Sequence, residues 1–216
     1  MLSTLTASAQ HKNEDFTADT ITQATFERMR GWSFPDGCTV SRQDLRYLRV
    51  LHYDADGRVH QGEMVCNKLI ANDLLDIFRQ LYDARYPIGR MQLIDDFEAD
   101  DERSMRANNT SCFCFRAIAG SKKLSKHAQG LAIDINPLYN PCVRQRDGHT
   151  VIQPSTARRW ANRRIASPYK LEKDDLCYRL FIEHGFTWGG AWRSLKDYQH
   201  FELSGDKAEE LQEKYQ

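Results

Sequence analysis

The 216-residue sequence has no surplus of either charge, since 30 Lys and Arg stand against 30 Asp and Glu. No overall field draws it to a nucleic-acid backbone or an anionic membrane, and neither is expected as a partner. No run comes near the roughly 18 apolar residues of a spanning helix, so no transmembrane segment is expected. There is no internal repeat and no low-complexity tract. The six cysteines (Cys38, Cys66, Cys112, Cys114, Cys142 and Cys177) include no paired CxxC pattern, which excludes a zinc ribbon. In an exported chain one or two disulfides are expected of them; in a cytosolic one they are small buried hydrophobes. The start of the chain lacks the charged and apolar stretches of an export signal. Yet "TASAQ" sets Ala7, Ser8 and Ala9 before Gln10 in the small-x-small pattern of a cleavage site. It reads either as the stump of such a signal or as a disordered tail.

What is present suffices for one substantial core, with 41% hydrophobic and 11% aromatic residues. A single domain over residues 21–216 is expected behind a tail or signal remnant over 1–20. "ITQATFERMRGW" predicts a short helix, and two strand-like runs around Asp56-Gly57 predict a hairpin. "NDLLDIFRQLYDARYP" predicts a helix capped by Asn72, with Leu74, Leu75, Phe78, Leu81 and Tyr82 as its core stripe. "RMQLID" and "SCFCFRAI" predict strands on either side of an acidic loop from Asp95 to Thr110, and "LAIDI" a third. On such a strand Cys112 and Cys114 share a face and are poorly placed to bridge each other. Residues 136–167 read as a surface excursion with one short helix at "STARRWANRRI", its Arg cluster a solvated face. "DDLCYRLFIEHGF" predicts a helix ended by Gly185, "HFEL" a closing strand and "DKAEELQEKYQ" a terminal helix. Hairpins intermixed with helices indicate an α+β fold.

The chemistry concentrates in "SKHAQGLAIDINP". His127 and Asp134 are seven apart, a rise of about 10.5 Å on one helix and roughly 23 Å on one strand. Neither brings them to one ion, whose ligand atoms lie about 3 Å apart. A turn at Gly130 does, by folding the His127 loop back over the strand of Asp134. A carboxylate flanked by Ala132, Ile133 and Ile135 is costly to bury unless paired or metal-bound. The alternative on these residues alone is an Asp satisfied by backbone donors or an Arg. Downstream, "KDYQHFEL" adds Asp197 and His200, three apart. Ligation by His127, Asp134 and His200 leaves a fourth zinc position for water, with Asp197 placed as a base. Trp188 and Trp192 flank a Gly-Gly turn and are either cleft walls or core. His184, at a helix end, reads as structural. His52, His60 and His149 read as surface residues. Nothing local activates Cys112 as a nucleophile.

Beyond the residues themselves, "SKHAQGLAID" resembles the SxHxxGxAxD signature of the zinc D-alanyl-D-alanine carboxypeptidase and L-alanyl-D-glutamate peptidase family. "KDYQHFE" resembles its second signature, and "NNTSCFCFRAI" and "GFTWGGAW" are similar to segments of its VanY-like branch; the likeness covers about residues 67–203. The resemblance implies a hedgehog/DD-peptidase architecture, a small antiparallel sheet flanked by helices. It implies Zn2+ on His127, Asp134 and His200, Asp197 as catalytic base, and Arg116 holding substrate or oxyanion. Ser125 is expected either on the substrate side of the site, supporting the loop or a ligand through a hydrogen bond, or as a plain surface serine. Many members carry Glu where this chain has the shorter Asp197. The substrate so implied is a peptidoglycan stem peptide and the location periplasmic or secreted. A monomer is expected. The alternative is a non-catalytic zinc-stabilised binding module of the hedgehog type.

Overall fold

The structure, a computed structural model, describes residues 15–118 and 120–214, so the Ala7 to Gln10 pattern lies outside the described residues. In chain order the elements are β1 (Thr17–Thr20), α1 (Gln23–Met29), β2 (Leu45–Tyr53), β3 (Val59–Asn67), α2 (Ala71–Asp83) and α3 (Asp101–Arg106). There follow β4 (Ala132–Asp134), β5 (Cys142–Arg146), β6 (His149–Gln153), α4 (Leu176–Glu183), β7 (Phe186–Trp188), β8 (Leu195–Asp197), β9 (His200–Leu203) and α5 (Gly205–Lys214). Helices thus mix with small antiparallel sheets, an α+β arrangement. Among the described residues there are three three-stranded sheets, ordered β1-β2-β3, β4-β9-β7 and β6-β5-β8. No helix among them is long and apolar enough to cross a membrane.

One core ties these pieces together. Leu48, Val50 and Met64 of the first sheet meet Leu74, Ile77, Phe78 and Leu81, which recur at helical spacing along α2. Behind them stand Phe181 of α4, Ile133 of β4 and Phe201 of β9, and the Phe181 and Phe201 rings stack at 4.3 Å. Truncating either ring to Ala removes about 3–5 kcal/mol. The strand bearing His200 is therefore anchored from below by its apolar neighbour Phe201. A smaller cluster of Ile21, Met29, Leu45, Val65, Leu93 and Phe113 covers the opposite face of the first sheet, where Leu45 and Val65 alternate with Leu48 and Met64.

Several sequence expectations change in the structure. Strand β1 begins at Thr17, inside the segment read as a tail, because its Thr17–Thr20 pair with Arg49–Arg46 of β2. Helix α2 starts one residue before Asn72, which makes no cap; the preceding turn is held instead by the Asn67 carboxamide accepting from the Leu69 amide. "SCFCFRAI" is extended but joins no ladder, since the amides of Phe113, Cys114 and Phe115 donate to Val65, His127 and Ser33 in three different segments. "RMQLID" likewise gives an isolated bridge at Arg90 and then a 3-10 turn over Ile94–Phe97. The acidic loop contains α3, started by the Asp100 carboxylate accepting from the Arg103 amide. The excursion carries the β5–β6 hairpin around Asp147-Gly148, a turn pair that marks hairpins. Within its Arg cluster, Arg163 is no solvated residue: it donates to Tyr139 O, Asn140 Oδ1 and Leu171 O and covers the Tyr198 ring. The six cysteines form no disulfide.

Candidate metal centre and its cleft

Two local devices bring His127 to Asp134. The Ser125 hydroxyl accepts the His127 amide at 3.2 Å and starts a 3-10 turn over Lys126–Gln129. Gly130 then reverses the chain at φ +67, where a Cβ would stand 2.7 Å from the Asn67 backbone nitrogen, so both conformation and space require glycine. Asp134 follows on β4, directly opposite His200 of β9 in the antiparallel register. Across that pair His200 Nδ1 lies 3.0 Å from Asp134 Oδ1, and His127 Nε2 lies 3.3 Å from Asp134 Oδ2 and 3.2 Å from His200 Nδ1.

Ligand atoms sharing one tetrahedral ion at about 2.1 Å stand about 3.4 Å apart, so these three buried groups have the spacing to hold a metal ion. Their outer atoms are fixed as well. The Cys112 carbonyl lies 2.7 Å from His127 Nδ1 and can only accept, which leaves Nε2 of the neutral ring as a lone pair toward Asp134. The Glu202 carboxylate, 3.2 Å from His200 Nε2, accepts there, so that on exchanging its other proton for a metal ion His200 would offer Nδ1. The electrostatics favour a cation at this point. Burial works against charge on Asp134, yet the charges and hydrogen bonds of His127 and His200 hold it well below the usual carboxylate range. Burial also opposes a charged His200, and the bonds to Asp134 and Glu202 outweigh it, pushing the ring up to about 10. Donor set, tautomers and field all suit a divalent ion such as zinc.

The group sits in a cleft of about 490 Å³, lined also by Asp101, Arg116, Ser125, Arg144, Trp192, Asp197 and Gln199. Asp197 ends β8, opposite Cys142 of β5. Burial raises it, the positive His200 lowers it and the Asp134 charge raises it, leaving its pKa at about 6. Gly189 packs directly behind: a Cβ there would meet the Asp197 carbonyl oxygen at 2.7 Å, Asp197 Cβ at 2.9 Å and His200 Cβ at 3.2 Å. Arg116 enters from the extended segment, its Nη2 2.6 Å from Asp101 Oδ2 of α3. Among the described residues five buried side-chain polar atoms have no hydrogen-bond partner, and four of them belong to this cleft: Arg116 Nε, Arg144 Nε, Asp197 Oδ1 and Gln199 Oε1. A space that leaves two guanidinium donors and two oxygen acceptors open is shaped for a polar ligand.

The structure gathers His127, Asp134, His200, Asp197, Arg116, Ser125 and Trp192 around one space, with the Trp192 ring 5.2 Å from that of His200. Trp188 stands elsewhere, buried against Tyr178 with its indole N–H donating to Tyr198 O. Cys112 is buried outside the cleft, its thiol raised by burial. His184 bridges Asp73 and Asp76 on α2, a structural place. His52 is buried rather than on the surface, because the Ile88 carbonyl reaches its Nδ1 at 2.9 Å. Sequence reasoning missed Glu202, although its place two residues past His200 on a strand puts both on one face. It also missed Asp101 and Arg144, for which no local pattern gives a signal.

Residues 119–203 match the family model described as D-alanyl-D-alanine carboxypeptidase. The stretch contains both signatures, with His127, Asp134, Asp197 and His200, and it is the family whose likeness those signatures carry. Asp101 and Arg116 precede it. No solved structure matches the chain.

Proposed function

We propose that this chain, with a peptidase-family stretch folded around a His-Asp-His group in an open polar cleft, is a zinc peptidase of hedgehog/DD-peptidase architecture. It hydrolyses an amide bond in peptidoglycan stem peptides, in the periplasm or outside the cell. The observation that carries the reading is the juxtaposition of three convergent metal-type ligands with a buried carboxylate, Asp197, whose Oδ1 has no partner. A purely structural metal site has no use for such an acceptor, which speaks against the non-catalytic binding module.

His127, Asp134 and His200 would hold the zinc, which supplies Lewis acidity and lowers the pKa of water to about 7. Asp197 accepts the proton as water adds to the scissile carbonyl carbon, and passes it to the leaving amine nitrogen. Arg116, braced by Asp101, donates to the oxygen that becomes negative. Trp192 and Ser125 bound the space in which the peptide lies. The experiment is product identification by mass spectrometry on defined muropeptides, with and without a chelator, alongside metal analysis. Asp197→Asn should keep zinc and lose cleavage by roughly 10²–10⁴-fold. Full activity in that variant rejects the assigned base.

A further inference from the structure

Of the two guanidinium groups in the cleft, Arg116 already has its counter-charge in Asp101. Arg144 has none: among the described residues it makes neither ion pair nor hydrogen bond, and its Nε is buried against the cleft. A half-buried guanidinium without a counter-charge favours an anionic ligand, and its planar fork matches a carboxylate.

Its place on β5 says where that anion would lie. Arg144 opposes Leu195 and Cys142 opposes Asp197, so two residues of strand, about 6.6 Å, separate the two pairs along one face. The Cys142 thiol feels the charges of both Asp197 and Arg144. A peptide whose scissile carbonyl faces Asp197 and whose chain follows β5 toward residue 144 places its next residue beside Arg144. The α-carboxyl carbon of that residue lies about 3.8 Å beyond the carbonyl carbon, within reach of a flexible arginine.

We infer that Arg144 is a specificity-determining subsite for a free α-carboxylate on the residue released at the scissile bond. This rests on the peptidase reading and narrows its substrates. The chemistry is shared by two sources. In D-Ala-D-Ala the group is the terminal carboxylate; in L-Ala-D-Glu joined through the γ-carboxyl it is the α-carboxylate that the linkage leaves free. A peptide with that carboxylate amidated or extended leaves the guanidinium unpaired.

The test uses the zinc-loaded full chain with acetyl-D-Ala-D-Ala and acetyl-L-Ala-γ-D-Glu, each with the α-carboxylate free or amidated, and kcat/KM from product masses. The parent should prefer the free acid, and the acid that responds identifies the source. Arg144→Gln should lose about 10- to 100-fold on that acid, chiefly in KM, the range for a hydrogen bond to a charged group. Its loss on the amide should be several-fold smaller, and Arg144→Lys should fall between. An unaltered acid-to-amide ratio in a folded, active R144Q overturns the subsite and leaves the peptidase standing. A parent ratio near one overturns it without any variant. Failure of the zinc-loaded parent to cut either acid overturns both.

Discussion

Replacing Gly189 by Ala probes the site without removing any of its chemical groups. The added methyl would stand 2.7 Å from the Asp197 carbonyl oxygen, 2.9 Å from Asp197 Cβ and 3.2 Å from His200 Cβ. None of these atoms is the far end of a flexible side chain, so the strain is relieved only by moving backbone. Restoring ordinary contact at about 3.4 Å requires a shift of roughly 0.7 Å at the closest atom. Overpacking of this kind costs about 1–3 kcal/mol, and misplacement of a catalytic group by about 1 Å costs on the order of 10²-fold in rate. Urea unfolding should report the first and muropeptide cleavage the second, with zinc affinity falling because His200 moves too. Gly205→Ala is the control: no atom lies within 4 Å of its Cβ position, and stability should stay within about 0.5 kcal/mol of the parent. A G189A protein with parental stability, zinc affinity and turnover would refute the claim that this turn sets the spacing of Asp197 and His200.

Removing the Glu202 acceptor behind His200 by Glu202→Ala should weaken zinc binding by about 10- to 100-fold in a chelator competition. Asp101→Asn leaves Arg116 in place but unbraced; kcat should fall about tenfold while stability changes by less than about 1 kcal/mol, since the pair is partly exposed. Away from the site, burial raises Glu63 and the bonds from Arg28 and Tyr47 more than offset it, leaving its pKa below the ordinary value. Its contribution is complete above the unfolded value of about 4.3 and is lost as pH falls through the lower folded value. Urea midpoints across pH 7 to 3 should therefore fall less in Glu63→Gln than in the parent.

The approach of His127 to Asp134 was legible because its logic is local: Gly130 is the turn that lets the one reach the other, and both signatures are short runs of contiguous residues. Helices α2 and α4 were legible from periodic apolar faces. The rest depends on distant pairing. Nothing in "SCFCFRAI" tells that its successive amides will go to Val65, His127 and Ser33, so a strand pattern yields an extended segment without a ladder. Asp101 and Arg144 become cleft residues only because α3 abuts Arg116 and β5 docks on β8, contacts that span 15 and about 50 positions of chain. Trp188 and Trp192 look equivalent around their Gly-Gly turn, and it takes the Tyr198 carbonyl and the Tyr178 ring, both from outside that turn, to hold Trp188 inward.

The side chains Asp134 and His200 belong to one small sheet, whereas Asp197 and Arg144 belong to another, and Tyr198 and Gln199 alone join β8 to β9. That two-residue joint is clamped from several directions: Trp188 Nε1 holds Tyr198 O, Tyr198 N donates to Pro141 O, Ile135 N donates to Gln199 O, and Arg163 lies over the Tyr198 ring. The spacing of Asp197 from the Asp134 and His200 pair is thus set by how two plates are hinged, and residues such as Arg163 and Trp188, which lie outside the cleft, act as the pins of that hinge.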